Sequence, residues 1–263
     1  MNDICVIIPM FGKEEYTDKC IDETVKHAGI QIDIVVVDDG SQKFYRNSKY
    51  NVSVIRLTEN TGFTNAINAG ILHAQKLGYD YVHLLNNDTE PRKDFIKVLF
   101  EDMDKDPNLA IASSARLYPK GDSFLVELYG IDLLRGYQCV IDIENVKGAI
   151  VECNWVPVCS ALIRMDVIRE IGLLDKHMRT HSSDLDYCLR IKMAGYRIVV
   201  DPSSLVFHHH EVTTKANGIT PEHDQRVLHV KLAGMGYAQF MNKIPLDSDA
   251  KTYGEIKFAV VQR

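Results

Sequence analysis

Along the first half of the chain, short apolar runs alternate with stretches of helical period. Ile4–Pro9 reads I-C-V-I-I-P, continuous, apolar and rich in β-branched residues. That pattern predicts a central parallel strand covered on both faces. Lys13–Ala28 follows with helical spacing, with Tyr16, Cys20, Val25 and Ala28 able to share a face and Gly29 as the stop. Ile32–Val37 predicts a second buried strand that runs into Asp38-Asp39-Gly40-Ser41. Val52–Leu57 is a third strand candidate, closed by the polar turn Glu59–Gly62. Asn65–Leu77 reads as a helix on Ile67, Ile71 and Ala74, stopped at Gly78. Tyr81–Leu85 predicts the fourth strand, which ends abruptly in Asn86, Asn87 and Asp88. Pro91 then suits the first turn of a helix, with Thr89 as a candidate cap. Phe95, Val98, Leu99 and Met103 mark the apolar stripe of that helix, which Asp106-Pro107 ends.

This β-α-β-β-α-β-α order predicts an α/β fold: a doubly wound, mostly parallel, Rossmann-like sheet with helices on both faces. In such a sheet the carboxyl ends of the strands share one edge, where ligands bind. Pro9, Asp38 with Asp39, and Asn86–Asp88 all fall at that edge, so separate acidic groups meet in one crevice. The second half is less regular. Leu109–Ser113 and Val156–Arg164 are strand-like, Tyr118–Ser123 reads as a turn, and residues 124–150 carry no clear pattern. Asp166 opens a short helix through Ile171, stopped by Gly172. Asp184–Ala194 predicts another, with Leu185, Cys188 and Leu189 inward. Arg197–Val200 and Leu205–Phe207 predict two short strands, the second entering His208-His209-His210, and Thr220–Phe240 reads as helical. The expected organisation is one domain over residues 1–210, with a nucleotide-binding half to residue 110 and an acceptor and catalytic half from 111. A helical extension over 211–263 follows.

Composition changes the picture mainly by exclusion. The 263 residues are 46% hydrophobic and 25% charged, the proportions of a soluble globule. A formal net charge of -6 argues against nucleic acid as a general partner. No apolar run approaches the roughly 18 residues of a spanning helix, and no basic leader precedes Ile4. Neither a transmembrane segment nor a signal peptide is expected. The six cysteines are scattered without C-x-x-C spacing, which speaks against zinc and for a reducing, cytoplasmic compartment.

Acidic groups at a ligand edge repel an anion unless a divalent cation bridges it to the protein. Mg2+ commonly sits in that way between carboxylates and substrate phosphates. A second carboxylate accepts hydrogen bonds from a base N–H or a ribose hydroxyl. One cluster therefore suits a nucleoside and the other a metal-bound diphosphate. No G-x-G-x-x-G follows the first strand and no G-x-x-x-x-G-K-[ST] occurs, which argues against dinucleotide and P-loop sites.

Seven segments carry a resemblance by their order and spacing. They are V-I-I-P (Val6–Pro9), V-V-D-D-G-S (Val36–Ser41), E-N-T-G-F-T-N-A-I-N-A-G (Glu59–Gly70) and L-L-N-N-D-T-E-P (Leu84–Pro91). Beyond these come A-L-I-R-M-D-V-I-R-E-I-G-L-L-D (Ala161–Asp175), D-L-D-Y-C-L-R (Asp184–Arg190) and V-F-H-H (Val206–His209). Over residues 4–210 the chain resembles the inverting family 2 glycosyltransferases of GT-A fold. Its L-N-N-D-T stretch looks most like the bacterial rhamnosyltransferase-like branch. The resemblance implies a UDP- or dTDP-sugar donor, Mg2+ or Mn2+, and a saccharide, lipid-linked or protein acceptor. By the same resemblance Pro9, Asp38 and Asp39 contact the nucleoside, Asp39 facing the pyrimidine. Asn60, Gly62, Phe63 and Asn68 line the nucleotide wall, with Asn87 beside them. Asp88 stands at the last position of the family's D-x-D motif as a metal ligand, with His208 a second. Asn86 at the first position removes one carboxylate. Asp184 occupies the place of the catalytic base, and Ser183 replaces the glutamate that usually precedes it. Trp155, Ser160 and Ser183 fall in the expected sugar and acceptor pocket. The implied reaction is a single displacement with inversion, in which Asp184 takes a proton from the acceptor hydroxyl while the metal stabilises the departing diphosphate.

Each of these residues also has an ordinary structural reading. Asp38-Asp39-Gly40-Ser41 suits a strand-to-turn exit. Asp184 and Asp186 favour a helix start through the dipole. The three histidines suit a solvated strand end, and Trp155 suits a core position. Asp102, Asp104 and Asp106 also have D-x-D spacing, but lie at a helix end and read as a solvated face. Two rival functions stay open. A sugar nucleotidyltransferase needs a glycine-rich, basic loop where Met10–Glu15 stands. An inactive nucleotide-sugar-binding module on the same scaffold is compatible with the altered metal motif and Ser183. For the helix over Thr220–Phe240, packing on the core is the default. Pairing in a homodimer, or resting at the inner membrane face, are the other options.

Overall fold

The computed structural model describes residues 4–120, 123–132, 137–142, 150–209, 222–234 and 259–261. Strand β1 (Ile4–Met10) is buried along its whole length, as its unbroken apolar run requires. Strands β2 (Asp33–Asp38) and β4 (Tyr81–Leu85) flank it in parallel, so that Ile7 lies opposite Val35 on one side and Leu84 on the other. Strand β3 (Ser53–Arg56) adds in parallel outside β2. Successive β1 side chains feed opposite layers, the two-residue period of a strand. Cys5 and Ile7 join Val35, Val37, Ile67 and Ile71 beneath α2 (Phe63–Leu77). Val6 and Ile8 join Ile21, Phe95 and Leu99 beneath α1 (Glu14–His27) and α3 (Phe95–Lys105). Full burial of each such side chain contributes about 1.5–3 kcal/mol, so both faces are firmly anchored.

The second half changes direction. Strand β10 (Ser160–Arg164) runs antiparallel between β4 and β6 (Leu109–Lys120). Strand β11 (Arg197–His208) runs parallel to β6 and antiparallel to the short β5 (Thr89–Pro91) and β9 (Val151–Glu152). Strands β7 (Ser123–Asp132), β8 (Tyr137–Asp142) and β12 (Ala259–Val261) extend the sheet beyond β6, each antiparallel to its neighbour. Helices α4 (Met165–Ile171), α5 (Ser183–Met193) and α6 (Glu222–Gly234) complete the described elements. The α/β expectation with helices on both faces of the sheet holds, but the sheet is mixed rather than mostly parallel: β3-β2-β1-β4 is its parallel part, and of the remaining pairs only β6 with β11 is parallel.

Several expectations need correction. Pro91 is not in a helix. It closes β5, whose Thr89, Glu90 and Pro91 face His208, Phe207 and Val206 of β11. Helix α3 begins only at Phe95, after Asp94 at φ 62. Thr89 caps no helix; its hydroxyl donates to the Asn86 carbonyl at 2.7 Å. Tyr118–Lys120 continue β6 rather than turning, and the unassigned stretch supplies β7 and β8. Only Ser160–Arg164 of the longer strand-like run forms a strand. The two short strands after Gly195 are one, irregular between Asp201 and Leu205. In α1 the inward face is Thr17, Cys20, Ile21 and Thr24, at helical spacing, and Val25 is 43% exposed. Asp102 is no part of a solvated face: it is buried, and its carboxyl is pushed up to about 7 by burial and by the neighbouring Asp201. Of the helix expected over Thr220–Phe240, residues 220–221 and 235–240 lie outside the described residues.

Candidate active site

The carboxyl ends of β2, β1 and β4 share one edge, because all three strands are parallel. At the nucleoside end, the Asp39 N–H donates to the Met10 carbonyl at 2.8 Å, tying β2 to β1. The Asp39 carboxylate turns to the N-terminus of α2. It accepts the Thr61 N–H and hydroxyl at 2.7 and 2.8 Å, and the Gly62 N–H at 2.9 Å. Burial pushes its carboxyl above the ordinary range against those bonds and the Arg179 charge. Gly62 has φ 96, and a Cβ there would lie 2.8 Å from the Arg179 carbonyl oxygen, so only glycine fits. Asp38 points inward. Its carboxylate accepts the Ser41 N–H at 2.9 Å and the Arg56 guanidinium at 2.8 Å with no exposed surface. Asp38 therefore braces the turn that presents Asp39, and its side chain is not a nucleoside contact. Pro9 is a buried β1 position beside it. Asn60 accepts from Arg179 through its carbonyl at 3.1 Å, and Phe63 packs half-buried on the core. Asn68 is not part of the wall either. Its amide bonds the Leu174 carbonyl and N–H at 2.8 and 3.1 Å, holding the loop after α4.

At the end of β4, the pairing of β5 with β11 carries His208 back to the acidic motif. Asp88 Oδ1 lies 3.0 Å from His208 Nε2, and the Asp88 carbonyl accepts the His209 N–H at 3.0 Å. Asn86 Nδ2 is 3.3 Å from the same Nε2, while Asn86 Oδ1 is buried without a hydrogen-bond partner among the described residues. Arg116 on β6 approaches His208 Nδ1 at 3.4 Å. Asn87 turns away and donates to Thr17 of α1 at 3.1 Å, so it is not at the ligand edge. His209 bonds Glu90 and sets its ring edge-on to Tyr16 and Phe207, which makes it a rim residue. His210 lies outside the described residues. Among the described residues no group of three His, Cys, Asp or Glu side chains is placed to hold a metal. The donor set at this spot is instead one carboxylate, one imidazole and the orphaned amide oxygen of Asn86. That set fits a hard divalent cation, which takes oxygen ligands readily and tolerates one imidazole.

Asp184 sits in the first turn of α5, half-buried, and accepts the Leu185 N–H at 2.8 Å. Burial pushes its carboxyl up, and the Leu185 N–H with the His181 and Arg116 charges pulls it down. Ser183 is buried and bonded to the Thr64 hydroxyl at 3.0 Å, linking the N-termini of α5 and α2. Ser160 lies inside the sheet, 2.8 Å from Ser114 and 3.2 Å from His83. Neither serine lines an open pocket. Trp155 is half-buried against the core. Arg116 and His181 escaped sequence reading. The available signal for Arg116 was a lone charge inside the run A-I-A-S-S-A-R-L, since a buried arginine demands partners. Cys5, Cys20, Cys153, Cys159 and Cys188 are all buried, and burial pushes the Cys5 and Cys20 thiols up to about 12. They are packing residues, not nucleophiles. No helix among the described residues is long and apolar enough to cross a membrane.

Comparison with known proteins bears on the family and the fold. The poly-beta-1,6-N-acetyl-D-glucosamine synthase of Staphylococcus aureus (strain COL) is 24% identical over 212 residues, 78% of this chain and 49% of that protein. The synthase of the same name from Staphylococcus epidermidis is 24% identical over 211 residues, covering 77% and 48%. The chain thus spans about half the length of these curated relatives. A crystal structure of GalNAc-T7 with UDP, GalNAc and Mn2+ superposes with a TM-score of 0.62 at 16% identity, over 79% of this chain and 44% of the other. That likeness carries the fold, and the GT-A expectation with it. Residues 5–168 match the sequence profile described as Glycosyl transferase family 2, so the chain belongs to that family.

Proposed function

We propose that this chain transfers a sugar from a UDP- or dTDP-linked donor to an acceptor hydroxyl, with inversion and with the help of Mg2+ or Mn2+. The observation that carries the reading is the 3.0 Å approach of Asp88 Oδ1 and His208 Nε2 beside the buried, unpartnered Asn86 Oδ1. The three side chains converge from opposite halves of the chain: Asp88 and His208 are in direct contact, and the Asn86 oxygen beside them has no hydrogen-bond partner among the described residues. Asp88, His208 and Asn86 would hold the cation. A divalent cation bound there supplies positive charge against a leaving diphosphate. Asp39, fixed by Thr61 and Gly62, is the residue for the pyrimidine. Asp184 would accept the proton of the attacking hydroxyl; burial raises its carboxyl, and the Leu185 N–H with the His181 and Arg116 charges opposes that rise. Arg116 stands between the two ends: it touches His208 and acts on Asp184. A flat, oxocarbenium-like transition state follows from a single displacement at the anomeric carbon. The L-N-N-D-T motif favours a hexosyl or deoxyhexosyl donor of the rhamnosyltransferase-like kind. The synthases named for an N-acetylglucosamine polymer favour a saccharide acceptor over a protein one. The scattered cysteines, without C-x-x-C spacing, support a reducing, cytoplasmic setting, with attachment at the inner membrane face where the acceptor is lipid-linked.

A panel of nucleotide sugars with and without Mn2+, followed by thermal shift and donor turnover, tests the proposal. The expected result is a stabilising donor whose turnover needs the metal and is abolished in Asp88→Asn. In Asp184→Asn the stabilisation should persist while transfer is lost by about a thousandfold or more. Stabilisation without turnover in the unaltered chain would instead identify a binding module.

A further inference from the structure

Helix α6 lies over the segment between α4 and α5 and grips it through two side chains on one helical face, Asp224 and Lys231. Asp224 is only 3% exposed and accepts three backbone N–H groups. Arg179 donates to its Oδ1 at 3.0 Å, and Thr180 and His181 donate to its Oδ2 at 2.8 Å each. Lys231 reaches Asp175 at 2.8 Å and the buried Asp186 of α5 at 2.6 Å. Leu228 is buried on the same face between Asp224 and Lys231, while Val230 on another face is 74% exposed. Charge-assisted bonds to a buried carboxylate are the strong class, and three on consecutive amides fix a loop's course.

The gripped loop touches the candidate site on its other side. The Arg179 carbonyl accepts the Thr64 N–H at 3.0 Å. The Arg179 guanidinium donates to the Asn60 and Thr61 carbonyls at 3.1 and 3.3 Å. Thr61 is the residue that holds Asp39, and His181 leads through Ser182, at φ 62, into Asp184. We infer that Asp224 is a positioning residue for the transfer reaction. It fixes the Arg179–His181 backbone so that the nucleotide wall at Thr61–Thr64 and the base at Asp184 keep their mutual geometry. Helix α6 is then part of the catalytic unit, and its inner face is not free for a second copy or a membrane. The inference rests on the donor-site reading given above.

The test is Asp224→Asn in the full chain, with hydrogen exchange by mass spectrometry and steady-state kinetics far below the melting temperature. The amide that replaces one carboxylate oxygen cannot accept all three N–H groups. Faster exchange is expected at residues 179–181 and also at 61–64 and 183–186, with donor KM raised and kcat lowered, kcat/KM falling roughly ten- to a hundredfold. Lys231→Met, which leaves the three amide bonds in place, should leave exchange at 61–64 unchanged. Asp224→Glu gives the same comparison should the Asn chain fail to fold. Faster exchange confined to 179–181, or an unaltered kcat/KM despite it, overturns the inference. A natural chain without turnover on any donor counts against the functional reading alone, and the exchange pattern then judges the grip by itself.

Discussion

Arg116 reaches both ends of the proposed site. It is buried, it donates toward His208 Nδ1, and its charge lowers the Asp184 carboxyl that burial raises. Replacing it with glutamine removes the charge and keeps a donor. The folded pKa of Asp184 then climbs further, because desolvation loses an opponent. A base works only when deprotonated, so the acid limb of kcat/KM should move to higher pH in Arg116→Gln, with kcat reduced by about ten- to a hundredfold. A pH–rate profile on both chains decides this. A limb that stays in place would detach Arg116 from Asp184. Asp38 and Asn68 make the complementary point. Both sit in segments that resemble ligand-contacting motifs, and both use their polar atoms on the protein itself. Their contribution is to hold Asp39 and the loop after α4 where a ligand meets them.

The deciding element is the pair formed by β5 and β11. Three residues of β5 are enough to align Thr89 with His208, and that register brings an imidazole from the end of β11 to Asp88. The turn before β5 is closed by the Thr89 hydroxyl on the Asn86 carbonyl at 2.7 Å. Thr89→Val keeps the β-branched shape and loses that bond. Stability should fall by about 1 kcal/mol, the usual contribution of one hydrogen bond. The Mn2+ concentration needed for half-maximal turnover should rise several-fold, since Asn86 and Asp88 flank the loosened turn. Urea melts and a metal titration measure the two effects. An unaltered titration would assign the shape of the turn to the strand pairing alone.

For the whole molecule, buried titratable groups set opposing pH dependences. His83 is fully buried, and burial pushes its pKa down to about 3. The unfolded chain protonates this imidazole below about 6.5 while the folded one does not, so stability falls as pH drops through that window. Asp102, pushed up to about 7, acts the other way. The folded chain keeps its proton while the unfolded chain loses it above about 3.9, so stability falls as pH rises toward 7. Asp102→Asn removes the second dependence. It should raise stability at pH 7 by on the order of 2 kcal/mol and leave a steeper loss between pH 6.5 and 4.5, limited by about 1.4 kcal/mol per pH unit. Denaturant melts across that range give the answer, and a flat profile in the variant would contradict the His83 assignment. The burial of Asp102 was not legible locally: it has the spacing of a solvated helix end, and only Asp201 on β11 and the sheet beneath it take it out of water. The same division runs through the molecule. The order of strands and helices to the end of β4, the parallel core of β1, β2 and β4, and the gathering of Asp39 and Asp88 at one edge follow from short-range patterns, because buried parallel strands and amphipathic helices write their burial into consecutive residues. The antiparallel half, the turn of Pro91 into a strand, the meeting of His208 with Asp88, the burial of Arg116 and the grip of Asp224 were decided by the tertiary structure. Each depends on a partner far away in the chain, and a residue's own neighbours carry no record of what the folded sheet will set against it.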